Sequence, residues 1–259
     1  MIPYFYWNTF YVGGITFYMW GTLVALGILV GILACSWAAR RNKEVVHAIW
    51  NDYFWVIVGG LIGARIAHVF LYDWAYYSQH LPEIFQIWKG GFSSIGSIAG
   101  GLFIFFLLGH WRKWNIPQMA DYFIFGLPLG IGIGRLGCFF IHDHPGIETS
   151  FFMGVRFPDG IIRHDLGLYL SIQGFLIFIV FLFLYQKYQD KKAGLYLGAF
   201  ALLYGISRFF LDFLRISESL GGDIRYGFLT PAQWGSLVLS VAGVYWLLQI
   251  SKSHSIVKE

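Results

Sequence analysis

Seven stretches of about twenty mostly apolar residues dominate the chain, at roughly 16–38, 51–72, 93–110, 119–141, 166–186, 194–214 and 232–250. That is the length an α-helix needs to cross the hydrocarbon core of a bilayer. Within hydrocarbon only helices and closed barrels satisfy their own backbone polar groups. Charged residues make up 12% of the chain, half the fraction of about 25% typical of soluble domains, and mean hydropathy is +0.60. The expected fold is all-α: a polytopic membrane protein of about seven transmembrane helices, forming a single integral membrane domain over residues 1–259.

In such a chain the net charge of +4 is read loop by loop and does not point to nucleic acid. The connectors after the odd spans, with the tail, carry ten Lys or Arg: Arg40, Arg41, Lys43, Arg112, Lys113, Lys187, Lys191, Lys192, Lys252 and Lys258. The opposite side carries five: Lys89, Arg156, Arg163, Arg215 and Arg225. The positive-inside rule then puts the N-terminus outside and the C-terminus in the cytoplasm. Residues 1–14 contain no Lys or Arg, so no cleavable signal peptide is expected; Tyr4, Phe5, Tyr6, Trp7, Phe10 and Tyr11 suit an aromatic layer at the membrane surface. This topology sets Cys35 and Cys138 near opposite faces, too far apart for a disulfide. The longest connectors, 73–92, 142–165 and 215–231, lie on the outer side, where binding surfaces tend to sit.

Three arginines remain inside spans: Arg65, Arg135 and Arg208. Each lies six or seven residues before the outer end of an outward-running helix, roughly 10 Å below the surface at 1.5 Å per residue. Charges in hydrocarbon are costly and usually functional. Tyr204, Arg208 and Asp212 follow one another at helical spacing and share a face; Asp212, the one carboxylate that reads as clearly embedded, neutralises a single arginine. His68 and Tyr72 share a side with Arg65. The favoured partner of surplus buried guanidiniums is a phosphate, which Arg binds bidentately, and at headgroup depth the available phosphate belongs to a phospholipid.

Gly126, Gly130, Gly132, Gly134 and Gly137, and Gly59, Gly60 and Gly63 beside Arg65, allow close approach of a neighbouring helix or a lipid chain. Gly90, Gly91 and Gly96 suit a tightly turned or re-entrant outer segment. After Arg135 the chain exits through His142-Asp143-His144-Pro145-Gly146, a polar stretch closed by a turn. In extended chain the two histidines would project to one side, with His164 and Asp165 to complete a metal site. Three or four ligands are needed for that, and a hydrogen-bonding loop or one acid–base residue is the preferred reading; no metal is expected.

The ordered motifs resemble those of the bacterial prolipoprotein diacylglyceryl transferases. The likeness runs through Gly63-Ala64-Arg65, Pro82-Glu83-Ile84-Phe85-Gln86-Ile87-Trp88-Lys89-Gly90-Gly91, Gly134-Arg135-Leu136-Gly137-Cys138-Phe139, Arg163-His164 with Leu168-Tyr169, and Tyr204-Gly205-Ile206-Ser207-Arg208 with Asp212 and Arg215. The resemblance implies transfer of a diacylglyceryl group from phosphatidylglycerol to the thiol of the lipobox cysteine of a preprolipoprotein, without metal or organic cofactor, in the plasma membrane with the site toward the outer leaflet. It implies that Arg135 and Arg208 hold the donor phosphate and stabilise the charge developing on it, with Arg65 as a third member. Gly134, Gly137, Tyr204, Asp212, Arg163, Tyr169 and Gly96 fall in the substrate-binding part.

The chain departs from the family pattern at the acid–base positions. Ile95 stands where the family has a histidine, Cys138 where the signature has asparagine, His142-Asp143-His144 where Asn, Gly and Glu are commoner, Leu170 where a glutamate follows Leu-Tyr, and Trp20, with Tyr18 before it, where the first span has tyrosine. Since the thiolate is the nucleophile, a base has to take the thiol proton, and His142 or His144, with Asp143, is the expected replacement. A variant transferase with another acceptor, and a non-catalytic protein that binds phospholipid or lipoprotein, are the other readings. A channel or transporter is disfavoured, since there is no inverted repeat and no series of carboxylates within the spans.

Overall fold

The structure, a computed structural model, describes residues 1–86, 90–187, 192–216 and 225–255, with the backbone alone for Tyr72, Ser94, Ile95 and 253–255. Lys89, Lys191 and Lys258, the side chains of Ile95 and Tyr72, and part of the 215–231 connector therefore lie outside the described residues. The protein is a multi-pass helical membrane protein: among the described residues six helices are long and apolar enough to cross a bilayer, and the expected third span is a shorter apolar helix, Gly96–Trp111. The chain packs as two units, residues 1–38 with 120–259 and residues 39–119.

The first unit begins with strand β1 (Ile2–Pro3) and a hairpin of β2 (Thr9–Val12) and β3 (Ile15–Tyr18). The first span was expected from residue 16, but the helix starts at Met19. Gly13 and Gly14 reverse the chain with φ of +57° and +83°, and alternating β-branched and aromatic residues pair Thr9 with Tyr18 and Val12 with Ile15. Helix α1 (Met19–Ala38) follows. In the second unit α2 (Lys43–Ala67) starts eight residues before its expected span, because the Asn42 side chain accepts hydrogen bonds from the Glu44 and Val45 N–H groups. It ends in a π-helical turn, His68–Tyr72, followed by the single turn α3 (Trp74–Tyr77) and by α4 (Ser94–Trp111), capped by Ser93.

Helix α5 (Ile116–Phe125) leads back to the first unit and α6 (Leu127–Ile141) continues it, with Pro128 in the first turn of α6. Beyond α6 come β4 (Pro145–Glu148), β5 (Val155–Arg156) and β6 (Ile162–Asp165), which form a four-stranded sheet with β1 in the order β1-β5-β6-β4. Helices α7 (Leu166–Lys187), α8 (Leu195–Leu211) and α9 (Pro231–Ser255) complete the unit. Packing runs α1 on α6, α6 on α7, α7 on α8 and α8 on α9. One end of this layer thus carries both sheets, the end of α6, the start of α7 and the end of α8.

Glycines set the helix crossings. A Cβ on Gly27 of α1 would lie 2.5 Å from the Gly130 carbonyl oxygen of α6, and one on Gly174 of α7 would lie 2.6 Å from Gly132 N. In the second unit a Cβ on Gly63 of α2 would overlap the Gly96 carbonyl of α4, and one on Gly100 the Gly59 carbonyl. Lipid supplies no hydrophobic drive between helices, so such backbone approach is what holds them. Gly63→Leu is expected to destabilise the protein by about 1–3 kcal/mol through overpacking. The readout is the thermal denaturation midpoint in detergent, with Gly21→Ala, which faces open space, as the neutral control.

Asp212 is not the sole embedded carboxylate. Asp52 is fully buried on α2 and pairs with Arg112 (Nη2–Oδ1 2.8 Å). Asp121 accepts hydrogen bonds from Gly194 N (2.7 Å) and Leu197 N (2.9 Å) at the positive end of α8.

Candidate active site

Helix α6 stops because His142 adopts the left-handed conformation, φ 48° and ψ 41°. The reversal turns its imidazole into a cage of Tyr4, Phe5, Phe139 and Phe157 rings, with centroid distances of 4.9, 4.9, 5.4 and 5.6 Å. There His142 Nδ1 meets Asp165 Oδ2 at 2.7 Å, while Asp165 Oδ1 accepts from Leu168 N at 3.0 Å in the first turn of α7. Both residues are buried. The extended-chain geometry that would align His142 with His144 is absent. His142 is instead a lock between the end of α6 and the start of α7, and His164 is also elsewhere, bonded through Nδ1 to the Tyr169 hydroxyl at 2.7 Å. Asp165→Asn should cost about 1–3 kcal/mol by weakening this buried charged hydrogen bond, seen as a lower denaturation midpoint.

Past the reversal, Asp143 and His144 fold back over the last turns of α6. His144 Nδ1 is hydrogen-bonded to Asp143 Oδ1. Hydrogen bonds to Asp143 and then to Cys138 push the His144 imidazole up to about 9, against the effect of burial. The donor atoms of Cys138, Asp143 and His144 all lie within 4.8 Å of one another. Arg135, one turn before Cys138, directs Nη1 toward the Cys138 sulfur at 3.9 Å.

The second cationic group stands where α8 ends. Arg208 Nη2 pairs with Asp212 Oδ1 at 3.0 Å, and Arg215 Nε reaches the same oxygen at 3.3 Å. The other carboxylate oxygen accepts the Thr230 hydroxyl. Thr230 begins α9 in a reciprocal cap with Gln233: Thr230 N donates to Gln233 Oε1 (3.0 Å) and Gln233 N to Thr230 Oγ1 (3.2 Å). One fully buried carboxylate thus faces two guanidiniums. Arg208 Nη1 is itself buried and has no hydrogen-bond partner among the described residues, and the charges of Arg215 and Arg135 act on Arg208 against that of Asp212. Arg208 thus keeps one buried donor without an acceptor among the described residues.

Beside it lies a cavity of about 670 Å³ between α7 and α8, walled by Ile172, Leu176, Val180, Leu203, Phe210 and Leu214, with His164, Tyr169, Gln173 and Ser207 as its polar groups. Leu176 and Phe210 on its rim are 56% and 64% exposed, so the cavity opens on an apolar outer surface of the helices. Ser207 and Leu211, which flank Arg208 in sequence, both line it.

Several expected site residues have other work. Arg65 donates to four backbone carbonyls: Nε to Ile84 (2.9 Å), Nη1 to Gly90 (2.6 Å) and Gly91 (3.2 Å), and Nη2 to Glu83 (2.8 Å). It also lies 5.0 Å from the Tyr77 ring centroid. Its guanidinium thus holds residues 83–84 and 90–91 by their backbone carbonyls. Gly96 is the α2–α4 crossing point, and Gly137 packs on α1, where a Cβ would lie 3.0 Å from Trp20 Cα. Gly134 is looser, its nearest neighbour being Val24 at 3.7 Å. Arg163 pairs with Asp159 at 2.6 Å and covers the Phe157 ring, bracing the β5–β6 turn. Tyr204 stacks on Phe200 with centroids 5.1 Å apart. The roles of Asp165 and Thr230 and the cavity wall were not visible in the sequence. The wall positions Ile172, Leu176 and Val180 do recur every four residues, but a helix apolar on every side hides such a stripe.

Residues 8–249 match the sequence profile described as prolipoprotein diacylglyceryl transferase. Proteins named phosphatidylglycerol–prolipoprotein diacylglyceryl transferase are similar throughout. The protein of that name from Nitratidesulfovibrio vulgaris strain DP4 is 33% identical over 230 residues, 85% of this chain and 86% of the relative. The one from Clostridioides difficile strain 630 is 33% identical over 241 residues, 93% and 94% of the two chains. The Finegoldia magna protein is 29% identical over 249 residues, 96% of each. By the profile match over residues 8–249 and the relatives that align along most of its length, the chain belongs to the prolipoprotein diacylglyceryl transferase family.

Proposed function

We propose that this protein transfers the diacylglyceryl group of phosphatidylglycerol to the cysteine thiol of a prolipoprotein's lipobox. The observation that carries the reading is the buried Arg208 guanidinium, one nitrogen of which has no acceptor among the described residues. A phosphodiester supplies the missing acceptor, and the adjoining apolar cavity suits the acyl chains of the same molecule.

In this reading Arg208 and Arg135 grip the phosphate. The acceptor thiol gives its proton to solvent, and the sulfur forms a bond to the terminal glyceryl carbon while the bond from that carbon to the phosphate oxygen breaks. The electron pair stays on the leaving glycerol phosphate, where the two guanidiniums stabilise it. The thiol meets the donor at the Asp143–His144 turn beside Cys138. His142 and Arg65 are positioning residues, the first for that turn and the second for residues 83–84 and 90–91. The ten-to-five cation asymmetry supports a plasma-membrane orientation with the sheet-bearing end outside.

A bacterial strain depleted of its own diacylglyceryl transferase tests this. Expression of the protein is expected to restore growth and lipoprotein modification, and Arg135→Ala expressed at the same level is not. Absence of rescue where an authentic family member rescues would overturn the reading in favour of a non-catalytic lipid-binding protein.

A further inference from the structure

We propose that Cys138, Asp143 and His144 form a binding site for a zinc-class divalent cation, whose fourth position takes the sulfur of the acceptor cysteine. The second half of the proposal rests on the transferase reading above; the first half stands without it.

The site is a product of the fold. Were α6 continuous, residues five and six positions after Cys138 would lie about 140° and about 240° around the helix from it, at 100° per residue. The left-handed His142, held by Asp165, reverses the chain and returns Asp143 and His144 to the Cys138 side. Three chemically different donors, a thiol sulfur, a carboxylate oxygen and an imidazole nitrogen, then lie within 4.8 Å of one another. Tetrahedral zinc with bonds of 2.0–2.3 Å sets its ligands roughly 3.3–3.8 Å apart, so closure asks for about 1 Å of movement. Asp143 and His144, partly exposed on a turn, can move that far, while Cys138 is fixed on its helix at 4% exposure.

The donor set selects the metal. A thiolate with an imidazole suits zinc or cobalt and disfavours calcium and magnesium, which take oxygen. Three protein ligands with one open position are the pattern of reactive rather than structural zinc. Thiolate and carboxylate together cancel both charges of the cation, so Arg135, 3.9 Å from the Cys138 sulfur, meets a neutral centre and can hydrogen-bond the ligating sulfur from outside.

The chemistry also fits. A thiol that coordinates such a cation is deprotonated outright, its proton passing to solvent. The coordinated sulfur's lone pair forms the C–S bond to the glyceryl carbon, the C–O bond to phosphate breaks, and the electron pair leaves on the phosphate oxygen. No histidine base is needed in this scheme, because coordination itself removes the thiol proton.

The test uses the full-length protein in detergent, stripped with a chelator and titrated with Co²⁺. Expected is one cobalt per chain with a thiolate-to-metal charge-transfer band. The band should vanish in Cys138→Ser and persist in Cys35→Ser, whose cysteine bonds to Phe123 O and Gly126 N instead. Asp143→Asn and His144→Gln should each weaken binding at least tenfold. A lipobox peptide should intensify the band, and its Cys→Ser form should not. No band at stoichiometric cobalt, or a band that survives Cys138→Ser in protein of unchanged denaturation midpoint, would overturn the site. Transfer assayed on stripped and Zn²⁺-reloaded samples separates the two claims. Equal activity in both overturns the acceptor role and leaves the transferase; cobalt binding without transfer in any sample supports the site and overturns the transferase reading.

Discussion

Arg208→Ala is expected to lower the rate of diacylglyceryl transfer by at least about a hundredfold to a thousandfold, the loss typical of removing one preorganised donor to developing negative charge. The effect is read as initial rate with labelled phosphatidylglycerol. Arg208 is buried, so little water can replace its guanidinium, and the nitrogen without an acceptor among the described residues is the donor assigned to phosphate. Arg208→Lys keeps the charge but loses the planar fork, and should fall between wild type and alanine. Stability should change less than activity, because Asp212 keeps Arg215 and Thr230 as partners.

Asp212→Ala has the opposite profile. It removes one carboxylate on which Arg208, Arg215 and Thr230 converge. Truncating one member of a buried charged group typically costs about 3–5 kcal/mol, since the partners remain buried without their counter-charge. Asp212→Ala is therefore expected to give the lowest denaturation midpoint of the single substitutions considered, and to lose activity as Arg208 loses its orientation. Arg215→Ala, which leaves Arg208 and Asp212 paired one to one, should be milder in both respects.

How much of this was legible in the sequence follows from the range of each interaction. The Arg208–Asp212 pair is four residues apart on one helix, so spacing alone shows it. The membrane class and most helices follow from runs of apolar residues, and the helix ends were missed where local hydrogen bonds decide them, as at Asn42 and in the Thr9–Tyr18 hairpin. The role of Arg65 was not readable, because its four carbonyl partners come 18 to 26 residues later from a segment without periodicity. The two histidines of the 142–144 stretch were expected on one side. A single left-handed residue, at a position where glycine or asparagine would have been the usual signal, sends one into an aromatic cage and the other back toward Cys138. The grouping of Cys138 with Asp143 and His144 hangs on that one dihedral pair.

The most direct measurement is mass spectrometry of a lipobox peptide incubated with the purified protein and phosphatidylglycerol. Expected is a mass increase equal to one diacylglyceryl group on the peptide's cysteine, with glycerol phosphate released in equal amount and neither product from Arg208→Ala. An unmodified peptide, under conditions in which an authentic family member modifies it, would contradict the assignment.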